Sequence, residues 1–307
     1  MRAITSQSVI ALNSGFTVSR SALAVPADVD LPFFSYGAFK PGELAFSQIA
    51  PFLSARPESA SVSGSLKVRD GLPLLDSSGG RRVQGFMLAF TKEKRLQAYE
   101  TICRFEPKTI YLWKETELLS PAVRVNLLVG RKLDRGRAQE LEGESWSFRD
   151  DPVFTHGMRV VEAATQEWGQ HPFDSAPPDH FDWARFFRLQ MSYLLLWSII
   201  ERYSAFAFGP ALSPEAKIKA LGGDPGFISA LRRHAPAEAR NVSDSRDPGE
   251  RVLLDAADPA KAATYFYQVR SNLSHRGKGA WTDGEIVRQS LVALLTIFKD
   301  MLSLTKQ

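Results

Sequence analysis

Within TYFYQVRSNLSHRGKGAW, residues 264–281, the chain places Arg270, Asn272, His275, Arg276 and Lys278 inside nine residues. Arginine offers a planar fork matched to phosphate oxygens. Histidine passes protons near neutral pH. A ribose 2′-hydroxyl beside a phosphodiester needs a proton taken, a proton given, and charge on phosphate oxygens neutralised. That chemistry requires no metal, and none is suggested: the five histidines, at 156, 171, 180, 234 and 275, lack metal-ligand spacing. Two plainer readings stand beside it. Arg270 pairs with an acid such as Glu201 across a helical bundle while His275 caps carbonyls, or the set binds a nucleotide without cutting it.

A second group lies near the front. YGAFKPGE (36–43) puts Gly37, Gly42 and several backbone N–H groups at a strand-to-helix turn, which can cradle an anion. The alternative is a tight turn with Tyr36 in the core. Further on, LQAYE ends with Glu100. A carboxylate enclosed by aromatic groups has a raised pKa and can carry protons. The alternative is an exposed helix acid paired with Arg95 or Arg104.

The elements that must position these residues fall into two blocks. Residues 30 to about 130 read as β-rich, with strands at 31–39, 62–68, 82–90, 109–115 and 123–129. DSSGGRR (76–82) reads as a turn or loop cluster. Short helices are expected over 42–54 and 92–102, the second capped by Thr91. Residues 152–168 suit one helix, and GQHPFDSAPPDH (169–180) a linker. A long buried helix follows over 181–209, ended by Gly209-Pro210, then two short helices around LGGDPG. Asp258-Pro259 starts a helix with the stripe Ala262, Phe266, Val269, Leu273 and an expected stop near Gly277. Thr282 and Glu285 form a capping-box pattern before the last helix. The expected class is α+β: a small β-barrel domain, then an all-α bundle. The expected divisions are a poorly ordered extension over 1–29, the barrel domain with a connecting helix over 30–168, the linker over 169–180, and the bundle over 181–307.

The chain has 307 residues, 44% hydrophobic and 23% charged, a formal net charge of +4 and a pI near 9.1. Those values suit a globular protein and permit a polyanionic partner without demanding one. A single cysteine, Cys103, excludes an intramolecular disulfide framework and cysteine-based zinc clusters. It favours a reducing, cytoplasmic compartment. No apolar run is long enough for a membrane span. The first thirty residues imitate an export signal only faintly, since polar residues interrupt the apolar core.

YQVRSNLSHRGK, with Arg270 and His275 at Arg-x4-His spacing, resembles the HEPN superfamily (higher eukaryotes and prokaryotes nucleotide-binding domains) over residues 181–304. The resemblance implies a helical bundle that pairs with a twin. It implies metal-independent RNA cleavage of the defence or toxin kind, with Arg270 on phosphate, His275 as acid or base and Asn272 as a polar helper. Arg276 and Lys278 would add cationic contacts to RNA or a nucleotide. Ser271 departs from the family, where Asn is common.

YGAFKPG, GLPLL, RRVQGFMLAF and LQAYE together look like the γ-glutamylcyclotransferase-like (AIG2-like) group over residues 31–130. That resemblance implies a small barrel whose loop, here Tyr36, Gly37, Ala38 and Phe39, holds a γ-glutamyl group. Glu100 would move protons as 5-oxoproline forms, without a cofactor. Ala38 replaces a hydroxyl residue, Phe39 replaces leucine and threatens to crowd the pocket, and Gln97 stands where aspartate is usual. The leading expectation is a ribonuclease with a ligand-binding or regulatory barrel; the alternative is a working cyclotransferase whose helical half serves dimerisation or non-catalytic RNA binding.

Overall fold

The computed structural model describes residues 23–131, 133, 138–173, 178–210, 212–238, 240–244, 249–275 and 283–304. The front half is one six-stranded sheet. Its strands are β1 (Phe33–Ser35), β2 (Glu58–Arg69), β3 (Leu72–Leu88), β4 (Tyr111–Glu117), β5 (Arg124–Gly130) and β6 (Gln139–Glu140), in the order β4-β5-β1-β3-β2-β6. β1 pairs antiparallel with β3 and parallel with β5, which brings the segment after Ser35 to the sheet's centre. β2 and β3 are joined by Asp70 (φ 53°) and Gly71 (φ 76°). Both residues take the left-handed region, as a two-residue hairpin turn requires.

DSSGGRR lies within β3 rather than between strands. The ladder jumps from Gly64–Arg81 to Ser65–Asp76, so residues 77–80 bulge out of register. The glycines there serve a bulge instead of a chain reversal. Helix α1 (Phe46–Ile49) is one turn, and α2 (Arg95–Phe105) runs three residues past its expected end. Thr91 does not cap α2; Lys94 occupies that position, and the Thr91 hydroxyl is buried without a partner.

The back half is helical. Its helices are α3 (Met158–Trp168), α4 (Trp183–Phe208), α5 (Pro214–Gly222), α6 (Pro225–His234), α7 (Pro259–His275) and α8 (Gly284–Leu304). Asp182, Ser213, Asp224 and Asp258 cap α4 to α7, each accepting from the N–H three residues on, at 3.0–3.2 Å. The half is not all-α. Strands β7 (Arg240–Ser243) and β8 (Arg251–Leu254) form an antiparallel ribbon against α7. These four-residue strands sit in polar, charged sequence, so no periodicity announced them. Thr282, Gly277, Arg276 and Lys278 lie outside the described residues.

The Pro-rich segment at 169–180 does not separate two cores. One apolar cluster runs from Phe34, Tyr36 and Leu75 in the sheet through Trp146, Phe148 and Phe154 to Tyr193, Phe206 and Phe298. The Trp146 and Phe154 rings lie 6.1 and 6.4 Å from Phe206. A second cluster, with Phe33, Phe39, Leu88, Tyr99 and Ile102, fills the space between the sheet and α2. The expected loose extension also ends earlier than residue 29. The Ala24 carbonyl accepts from Trp113 Nε1 at 2.7 Å, and the Asp28 carbonyl accepts from Asn126 Nδ2 at 2.6 Å. Among the described residues no helix is long and apolar enough to cross a membrane.

Candidate functional site

Beyond β1, the loop Tyr36–Phe39 turns inward. Tyr36 is buried; its hydroxyl donates to the Leu128 carbonyl at 2.7 Å and accepts from Leu75 N–H at 3.2 Å. Gly37 lies so close to Pro73 that a Cβ would meet its Cγ at 3.1 Å. The loop is followed by a buried lysine and a part-buried glutamate. Lys40 Nζ donates to Ser145 Oγ at 2.9 Å and to the Trp146 carbonyl, and Glu43 Oε2 accepts from Phe148 N–H at 3.0 Å. Desolvation lowers the pKa of Lys40 and raises that of Glu43.

Glu100 does not face this loop. On α2 the buried side chains are Ala98, Tyr99, Thr101, Ile102 and Cys103, and Glu100 points to solvent. The carboxyl that does meet the loop is Glu106. Pro107 ends α2, and the residue before a proline is driven out of the helical region. Glu106 accordingly turns extended (φ −101°, ψ 112°) and lines the cavity in front of Ala38, Pro73 and Tyr111. Its backbone N–H donates to the Ile102 carbonyl at 3.0 Å, while its carboxyl has no hydrogen-bond or ion-pair partner among the described residues. Burial away from water pushes its pKa up to about 8. The Tyr111 hydroxyl donates to the Pro73 carbonyl at 2.8 Å, so neither nearby tyrosine neutralises the acid.

Glu106, Ala38, Pro73 and Tyr111 form the wall common to two cavities. The inner one, under the Tyr36–Phe39 loop, has a volume of about 20 Å³. That is room for about one water. Phe39 is part of its lining. Its buried ring packs edge-on against Phe33 and Phe105, with centroids 6.4 and 5.5 Å away. The outer cavity, about 340 Å³, lies between the sheet and the helical half. Such a volume suits a small organic ligand. Phe105, Ile110, Phe206 and Pro210 give it apolar walls, and Arg202 of α4 and Lys217 of α5 bring positive charge.

Arg202 is fixed where the halves meet. Its Nε and Nη2 bond Asp151 Oδ2 at 2.9 and 2.8 Å, Nη2 also reaches the Asp70 carbonyl, and the guanidinium lies over the Phe206 ring. Gly71 packs against this pair, and a Cβ there would press on the ends of the Arg202 and Asp151 side chains.

The residues near the end of α7 are differently disposed. Arg270 is a quarter exposed and lies 3.7 Å from Glu201 Oε1, with its guanidinium 5.8 Å from the Tyr267 ring. The anticipated Glu201 pairing is thus present but too long for a hydrogen bond. Asn272 is engaged at both ends: Oδ1 accepts from Gln268 Nε2 at 2.9 Å, and Nδ2 donates to the Ser243 carbonyl at 2.8 Å, tying β7 to α7. His275 is the last residue of α7. Among the described residues no cluster of three or more His, Cys, Asp or Glu is placed to hold a metal.

Glu106, Arg202 and Lys217 escaped the sequence reading. The signal for Glu106 was a carboxylate placed directly before a proline, where a helix must break into the cavity wall. Arg202 and Lys217 carried no local signal, because only the packing of α4 and α5 on the sheet brings them there.

No family model matches the chain, and no curated protein matches it. Among solved structures, an uncharacterized protein from Pyrococcus horikoshii is similar at 16% identity, covering 41% of this chain and 96% of its own, with a TM-score of 0.31.

Proposed function

We propose that the chain is an acid–base enzyme of the cyclotransferase kind, acting on a γ-glutamyl amine in the cavity between the sheet and the helices, with Glu106 as proton carrier. One observation supports this reading above the others: an unpaired carboxyl stands in the wall that the binding loop shares with a ligand-sized cavity. The substrate's free α-amine attacks its γ-carbonyl carbon. The new C–N bond closes the 5-oxoproline ring while the bond to the leaving amine breaks. Glu106 takes the proton from the attacking nitrogen and returns it to the leaving nitrogen. With a pKa of about 8, the carboxyl is ionised in about a tenth of molecules at pH 7, close enough to serve both steps. The reacting groups occupy the outer cavity, since the inner one holds about one water.

The test is 5-oxoproline release from a panel of γ-glutamyl amines. Glu106→Gln is expected to lower release by about 10²–10⁴-fold, and Glu100→Gln to leave it unchanged. Release surviving Glu106→Gln, or none from the wild type, overturns the reading.

A second reading is favoured by the accessible Arg270: metal-independent RNA cleavage by Arg270 and His275, completed by a second copy of the chain. Arg270→Ala and His275→Ala are each expected to remove cleavage that leaves cyclic phosphate ends. Unchanged cleavage by either variant removes that residue's role.

A further inference from the structure

Three walls of the outer cavity meet, behind it, at the buried residue Trp146. Lys40, only 6% exposed, donates to the Trp146 carbonyl and to Ser145 Oγ at 2.9 Å. It stands two residues after Ala38, which lines the cavity. The Trp146 indole Nε1 donates to the Gly71 carbonyl at 3.2 Å, in the turn that leads to Pro73 of the cavity wall. The indole ring lies 6.1 Å from the ring of Phe206, which belongs to the helical wall on α4. Neither Lys40 nor Trp146 lines the cavity itself. Burying an ammonium is costly unless it is hydrogen-bonded, so Lys40 favours the loop position that keeps both of its acceptors in reach.

We infer that Lys40 and Trp146 are positioning residues: together they set where the Tyr36–Phe39 loop stands relative to the helical wall, and so the gap between Ala38 and Phe206. This rests on the cyclotransferase reading for the reaction served; the tie between loop and connector does not. Lys40 acts through Ala38 and its neighbours, and Trp146 acts through Lys40, the Gly71 carbonyl and Phe206. The loop, the β2–β3 turn and α4 come from distant parts of the chain, and this one connector residue registers them against each other. The helical half is thereby part of the cavity's geometry and not only a dimerisation module.

The test uses the full chain and two variants. Lys40→Met keeps the aliphatic stem and removes the donors; Trp146→Phe keeps a ring beside Phe206 and removes Nε1. In release of 5-oxoproline from γ-glutamylglycine, each should raise KM about tenfold and change kcat less than twofold. Because both act on one contact, the double variant should raise KM by less than the product of the single effects. Hydrogen exchange is the second readout. The N–H groups at positions 40 and 45, which donate to the Gly37 and Ala38 carbonyls at 3.1 Å, should exchange about tenfold faster, with β4 and β5 unchanged. Tyr193→Phe, which loses the bond to the Phe266 carbonyl, is the control for lost stability alone and should leave KM and loop exchange as they are. Unchanged KM in both variants, faster exchange across the whole sheet, or an equal rise in KM with Tyr193→Phe overturns the inference. Faster exchange confined to the loop, in a protein whose wild type releases no 5-oxoproline, removes the reaction and keeps the positioning of the loop. Should Lys40→Met not fold, Trp146→Phe carries the same expectations.

Discussion

The Glu106 cavity and the end of α7 invite comparison, because each gathers groups able to move protons or hold anions. At the cavity, a carboxyl stands without a partner while the tyrosine hydroxyls near it are bonded to backbone. At α7, Asn272 is taken up by the fold while Arg270 is only loosely held. Asn272 holds β7 to its helix, and Arg270 leans toward Glu201 and Tyr267. Residue types and spacing define what a segment is able to do; the bonds already made define what is left to act on a ligand. An acid left unpaired and part-buried in a cavity wall is costly, and folds keep such groups mainly where they serve a site.

The widest separation between the two regions is expected in catalysis, where Glu106→Gln should remove release of 5-oxoproline and Arg270→Ala should not touch it. Stability offers the next test. Below pH 4.5, the ordinary value for a glutamate, Glu106 is protonated whether the chain is folded or not, so it imposes no penalty. As the pH rises toward 8 the unfolded chain ionises and the folded one does not. The folded state therefore loses stability through that window, by up to about 3 kcal/mol at pH 7. Glu106→Gln has no proton to lose. Its melting temperature should match wild type near pH 4 and exceed it by about 5–10 °C at pH 7 to 8. A gap that does not change with pH would mean that the carboxyl is not held neutral.

Much of the scaffold was legible because it depends on local rules. Asp258-Pro259 opened α7, Gly209 ended α4, and alternating stretches became β2, β4 and β5. The errors lie where distant packing decides. Four glycines and serines read as a turn because a bulge needs the same residues, and only the register with Gly64 and Ser65 distinguishes the two. The β7–β8 ribbon is too short to show a period. The site was half legible. The loop Tyr36–Phe39 was expected at a strand-to-helix turn and does follow β1, with the Phe39 ring packed against Phe33 and Phe105. Glu100 was singled out by a resemblance that places the acid within the helix. Three further residues of α2 and the break at Pro107 put a different carboxyl in the cavity.

The smallest effects carry the sharpest contrast at α7. Asn272→Ala leaves Gln268 Nε2 and the Ser243 carbonyl without the partners they have now, a loss of about 1–3 kcal/mol. Arg270→Ala removes only a partly exposed guanidinium whose nearest carboxylate oxygen is 3.7 Å away, and such pairs contribute about 0–1 kcal/mol. Chemical denaturation of the two variants should therefore rank Asn272→Ala clearly below Arg270→Ala. If the ranking holds, Asn272 is a strut and Arg270 is available to a phosphate, so loss of RNA cleavage in Arg270→Ala would report chemistry and not unfolding. If Arg270→Ala is instead the more damaging, the guanidinium belongs to the bundle's own bonding. Of the two regions, the cavity at Glu106 is then the one that leaves a reactive group unmatched among the described residues.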